Sequence, residues 1–215
     1  MQTRWTQLCE RVSAPLSRAP RAGERAARAG SLFAQLEGLY AHPPRAYHSL
    51  VHIADCLTKL DEFAGLARDP VVVEWALWLH DCVYEPTRKD NEARSAEVSA
   101  RFLGELGADA RLAETAGAHI MATRHTGEHL SGDAALVADI DMSILAAEGS
   151  AYDRYTAAIR SEYSFASDEE YRKGRGAFLA SLLARGAIFH THELRGRFEA
   201  RARANLAREA GQLSG

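Results

Sequence analysis

Apolar residues return at helical intervals along most of this chain. Over residues 3–12 and again over 30–40 they recur every three or four positions, the spacing that lines one face of an α-helix. Pro15, Pro20 and the Arg/Ala-rich stretch 18–28 interrupt these runs, so the chain is expected to begin helix, loop, helix. Ala41-His42-Pro43-Pro44 breaks the pattern once more, because proline removes a backbone donor and restrains the residue before it. A new helix, carrying the first histidines, is expected from Arg45 or Ala46. Pro70 suits the first turn of another, whose Val71, Val72, Trp75, Ala76, Trp78 and Leu79 are apolar on nearly every side. That pattern predicts a central core helix ending in His80-Asp81.

Beyond it, residues 91–106 are amphipathic and closed by Gly107, 109–123 form another helical stretch, and 127–133 read as a loop. Helices are expected over 134–147 and 152–163 and, after a loop around Ser167, over 169–184 and 193–206. The last is charged on most faces and is expected at the periphery. No strand alternation, internal repeat or low-complexity linker argues for another architecture. The reading is an all-α, single-domain multi-helix bundle spanning residues 1–215, with a functional core at about 45–147 and helices at about 152–210 packed on it or flanking it.

Composition narrows the function classes. The 215 residues suffice for one large core, and 47% hydrophobic with 26% charged residues is ordinary for a globular domain. A formal net charge of −3 offers no field to recruit a nucleic-acid polymer or an anionic membrane, so a small-molecule partner is expected; a homo-oligomer stays open. Cys9, Cys56 and Cys82 are odd in number and widely spaced, and no apolar run has the length of a membrane span or signal segment. The expected location is a reducing cytoplasm.

Three segments carry chemistry. His48 and His52 lie four residues apart on an expected helix and would project from one face. His80-Asp81 sets an imidazole and a carboxylate at the end of a buried apolar helix, costly without a compensating charge. Asp139 and Asp141 stand inside Ala138-Asp139-Ile140-Asp141-Met142-Ser143-Ile144-Leu145, an otherwise apolar segment. Two imidazoles and two carboxylates would give a divalent cation four protein ligands and leave positions for water and substrate oxygen.

The order of these residues, a histidine, then a His-Asp doublet, then a distant aspartate, resembles the HD-domain metal-dependent phosphohydrolases over roughly Tyr47 to Asp141. Tyr47-His48-Ser49-Leu50-Val51-His52-Ile53-Ala54-Asp55 is also similar to the Tyr-His-Asn-x-x-His-Ala-x-x segment of that superfamily's cyclic-nucleotide phosphodiesterases. The resemblance implies a helical bundle of the HD-domain type, with His52, His80, Asp81 and Asp141 as metal ligands and His48 as general acid. Asp139 is the rival to Asp141. Ser49 stands where asparagine is usual, and Cys82-Val83-Tyr84-Glu85 lacks the further His and Gly of the phosphodiesterases, so cyclic-nucleotide specificity is not implied. Over most of the chain the likeness is closer to an uncharacterised bacterial group of predicted HD phosphohydrolases, through Trp78-Leu79-His80-Asp81-Cys82-Val83-Tyr84, Asp90-Asn91-Glu92-Ala93-Arg94-Ser95-Ala96 and Asp139-Ile140-Asp141-Met142-Ser143-Ile144-Leu145.

The implied activity is metal-assisted hydrolysis of a phosphate ester or anhydride in a nucleotide or other small phosphorylated metabolite. The ion would be Mn, Fe, Co, Ni, Mg or Zn, with room for a second. The alternative is a non-catalytic sensor that binds nucleotide and metal on the same fold. Arg88, Lys89 and Arg124 are candidate phosphate clamps. His125 is a candidate for a second-metal or phosphate role, or else a polar histidine near a helix end. Glu92 is either a catalytic base or water partner, or a first-turn acid favoured by the helix dipole. His119 and His129, spaced six before and four after His125, do not share one helical face with it. His190 and His192 read as surface or cap residues, and Trp5, Trp75 and Trp78 as core anchors.

Overall fold

The computed structural model describes residues 1–13, 22–43 and 45–214; Pro15, Pro20, Pro44 and the first part of the Arg/Ala-rich stretch lie outside them. Ten α-helices occupy the described residues, with no strand among them: α1 Gln2–Val12, α2 Ala22–Tyr40, α3 Leu50–Glu62, α4 Pro70–Leu79, α5 Asn91–Glu105, α6 Ala110–Ala122, α7 Gly132–Asp141, α8 Gly149–Glu162, α9 Asp168–Leu183 and α10 His192–Ser214. Short 3₁₀ turns at Ala64–Leu66 and Met142–Ala146 follow α3 and α7.

Helix α4 is the axis of the core. Asp69 caps it by accepting from the Val71 and Val72 N–H groups, Pro70 fills a first-turn position that needs no donor, and every residue from Val72 to Leu79 is buried. Trp5 of α1 stacks on Trp75 with ring centroids 5.2 Å apart and meets Trp78 edge-on at 5.4 Å. All three tryptophans are fully buried anchors. Trp5 Nε1 donates to the Ala29 carbonyl and Trp75 Nε1 to Ser99 Oγ, so these two indoles keep their apolar gain without an orphaned donor. The buried Glu74 is neutralised by Arg4 and Arg11, which ties α1 to α4.

Four expectations need correcting. Helix α2 starts at Ala22, inside the Arg/Ala-rich stretch read as an interruption, since alanine and arginine are strong helix formers. The third helix starts at Leu50 with Ser49 as its N-cap, not at residue 45 or 46, so His48 precedes the helix that carries His52. The segment 134–147 is two elements: α7 ends at Asp141 and the backbone tightens into the 3₁₀ turn. Helix α10 is not peripheral. Leu194, Phe198, Ala202 and Leu206, spaced by four, form a narrow buried stripe among its charges and pack against the second 3₁₀ turn and α9. No helix of the described residues is long and apolar enough to cross a membrane.

Candidate metal centre

His52, His80, Asp81 and Asp141 converge although they come from three separate elements. His52 lies in the first turn of α3, His80 caps the C-terminus of α4 with Asp81 next to it, and Asp141 is the last residue of α7. One donor atom from each lies within 4.8 Å of all the others. His52 Nε2 is 3.2 Å from His80 Nε2 and 3.1 Å from Asp141 Oδ1; His80 Nε2 is 3.1 Å from Asp81 Oδ2 and 3.4 Å from Asp141 Oδ1. A cation bound at about 2.0–2.2 Å to N and O donors separates neighbouring donors by about 3.0–3.5 Å, so the set fits one divalent ion.

The protonation pattern agrees with that fit. His80 Nδ1 donates to the Leu77 carbonyl at 3.0 Å, which turns the lone pair of Nε2 toward the cluster. Burial alone would lower the His80 pKa, but Asp81 and Asp141 outweigh it and raise it well above the ordinary histidine value. Against the opposing effect of burial, His80 holds Asp81 below its usual range and, with His125 and His52, does the same to Asp141. Two buried imidazoles face two ionised carboxylates across contact distances, an arrangement that a cation satisfies and that otherwise needs trapped protons.

Asp139 is excluded from this cluster by its own hydrogen bonds. Its buried carboxylate accepts from the backbone N–H groups of His190 and Thr191 and from Thr191 Oγ1, each at 2.7 Å, where the chain enters α10. Two residues along a helix turn a side chain through about 200°, which sends Asp139 and Asp141 to opposite sides of α7.

His48 reaches the site by a different route from the shared helical face expected for it. It sits in the turn before α3, with its ring 6.2 Å from that of His52 and stacked on Tyr84 at 4.0 Å. Glu162, at the end of α8 and fully buried, fixes it: Oε2 lies 2.6 Å from His48 Nδ1, while Oε1 accepts from the backbone N–H groups of Ala46, Tyr47 and His48. Those bonds and the His48 ring keep the Glu162 carboxyl below its usual pKa although burial opposes them. An ionised carboxylate only accepts, so Nδ1 is the donor and Nε2 is the nitrogen left to exchange a proton. Arg45 braces the same turn by donating to the carbonyls of His48, Asp81 and Cys82.

A cavity of about 790 Å³ opens over the cluster, with His48, Asp81, Glu92, Arg124, His125 and Asp141 on its wall. That volume is ample for a nucleotide-sized ligand. His125 Nε2 binds Asp141 Oδ2 at 2.7 Å, so this histidine stands directly behind a ligand of the cluster. Arg88 and Lys89 are exposed and do not line the cavity, and Arg88 is engaged by Asp90. His119 is buried on α6, and His190 holds the Leu130 N–H through Nδ1. Sequence reasoning missed Glu162 and Arg45. Nothing in Arg160-Ser161-Glu162-Tyr163 marks a buried acid, whereas Arg45, three residues before His48, was open to notice.

No family model matches the chain, and neither a curated protein nor a solved structure does. The functional reading therefore rests on the geometry and on the resemblance of the motifs.

Proposed function

We propose that this chain is a metal-dependent phosphohydrolase of the HD type, cleaving a phosphate ester or anhydride of a nucleotide or another small phosphorylated metabolite. One juxtaposition carries the reading: the two aspartates of a two-histidine, two-aspartate cluster and a carboxylate-held histidine line the same cavity. Structural ion pairs do not need a cavity beside them, and a site for metal storage does not need His48.

His52, His80, Asp81 and Asp141 would hold a divalent ion, which would supply an electrophile for a phosphoryl oxygen and lower the pKa of water. The rest is done by the chain. Asp81, with one oxygen facing His80, has a second oxygen with which to accept a hydrogen bond from the attacking water and hold it in line. His48, anchored at Nδ1 by Glu162, gives the proton on Nε2 to the departing oxygen, and Glu162 stabilises the imidazolium before transfer. Tyr84, stacked on the His48 ring, keeps that nitrogen aimed at the cavity.

The test is phosphate release from nucleoside mono-, di- and triphosphates, cyclic nucleotides, pyrophosphate and sugar phosphates, with Mn, Co, Ni, Mg or Zn supplied and Asp81→Ala as control. Metal-dependent release that the variant loses supports the hydrolase and names its substrate class. Bound metal with no release from any compound overturns it in favour of a sensor.

A further inference from the structure

Beyond the metal cluster, the cavity wall carries cationic groups that the hydrolytic step does not use. Arg185, just past α9, is partly buried and donates through Nη2 to the His125 carbonyl; this is its one side-chain hydrogen bond among the described residues. Arg45 spends its donors on three backbone carbonyls, and Arg4, Arg11, Arg175 and Arg203 are matched to acids: Arg4 and Arg11 to Glu74, Arg175 to Glu209, Arg203 to Glu199. Arg185 has no such partner. Burial alone lowers its pKa, with no carboxylate acting in the other direction. Four of its five N–H donors are left for a ligand.

The loop beneath it is shaped around the guanidinium. His125 adopts φ +50°, a left-handed conformation that non-glycine residues seldom take, and it is held there between Asp141 and Arg185. Gly127 lies next to the guanidinium, where a Cβ would make ordinary contact with Arg185 Nε and Nη2 at 3.8 Å, and its φ of +89° is what favours glycine. Arg124, from the same loop, also lines the cavity and has no carboxylate partner among the described residues. The two other acids on this wall are Glu92 and Glu170, and Glu170 is occupied in capping α9 through Ser167.

We propose that Arg185 and Arg124 form a subsite for a second anionic group of the substrate, of phosphate type, set one residue beyond the metal ligands. This rests on the hydrolase reading for the identity of the first group, which the metal cluster takes. A planar guanidinium with free N–H groups matches two phosphate oxygens at once, and a half-buried cation without a counter-charge gains most from one. Substrates with two phosphate positions, a diphosphate or a bisphosphorylated metabolite, are therefore favoured over monoesters of neutral alcohols.

The experiment titrates pyrophosphate and inorganic phosphate calorimetrically into the full chain, stripped of metal with a chelator. The proteins compared are wild type, Arg185→Gln, Arg185→Lys, Arg124→Gln and Arg172→Gln, the last altering an exposed arginine of α9 away from the cavity. Expected are binding of pyrophosphate by wild type and Arg172→Gln, a loss of about tenfold or more in Arg185→Gln, and a smaller loss in Arg185→Lys and Arg124→Gln. Circular dichroism and Tm confirm that each variant is folded, and Arg124→Gln, which breaks no internal bond, tests the subsite should Arg185→Gln unfold. Wild-type affinity in both glutamine variants, or no pyrophosphate binding by wild type, overturns the subsite. Binding without metal is independent of turnover, so loss of the hydrolase reading leaves this result standing, and the reverse also holds.

Discussion

Asp139 and Asp141 are two positions apart, and their carboxylates touch different things. One ties α7 to the start of α10, and the other faces two histidines and His125. Asp139→Asn is expected to lower stability by about 1–3 kcal/mol in denaturant titration, because an amide cannot accept all three bonds, while metal binding by the folded protein is retained. Glu162→Gln keeps shape and removes charge. It is expected to cut kcat by about 10²-fold with KM little changed, and to cost about 2–4 kcal/mol through the backbone donors left poorly matched. The pH sign follows from the depressed carboxyl. Its contribution is complete above the unfolded glutamate value and fades as pH falls through the lower folded value, so the stability gap between wild type and variant narrows in acid. At this scale the members of the His/Asp cluster were legible in the sequence, since charged side chains in apolar segments demand a partner. Glu162 was not, because its partners lie 114 to 116 residues away.

The elements show where periodicity is a sufficient guide and where it is not. Helix α4 was legible because its apolar character has no polar face to compete with it. The start of α3 was not, since the turn before it is held by tertiary partners, Arg45 donating to the Asp81 carbonyl and the Ala46 N–H to Glu162. Helix α10 looked peripheral because a stripe of one residue per turn is diluted by arginine and glutamate, yet Leu194 and Leu206 are fully buried. Leu206→Ala is expected to cost about 2–4 kcal/mol by urea unfolding, the range for emptying a closed core position. A cost under about 0.5 kcal/mol, typical of surface positions, would mean that α10 does not close the core.

For the whole molecule, a divalent ion held by the cluster would compete with protons for the same atoms. The metal-free fold gains stability from the raised His80 pKa below the unfolded histidine value and loses it as pH rises through the folded value. A cation must displace that proton, so its affinity grows by up to about tenfold per pH unit below the folded pKa. The rise in Tm produced by a fixed Mn concentration is therefore expected to be larger near pH 8 than near pH 6. The all-helical architecture was legible from the 3.6-residue rhythm, while the convergence of α3, α4 and α7 on one point was legible only through the motif resemblance. The central claim is that this convergence makes a metal site, and the most direct measurement is metal content after equilibrium dialysis against Mn, for wild type and Asp141→Asn. One tightly held ion per chain in wild type and none in a folded Asp141→Asn is the predicted result; no ion in wild type, or an equal content in both, would contradict it.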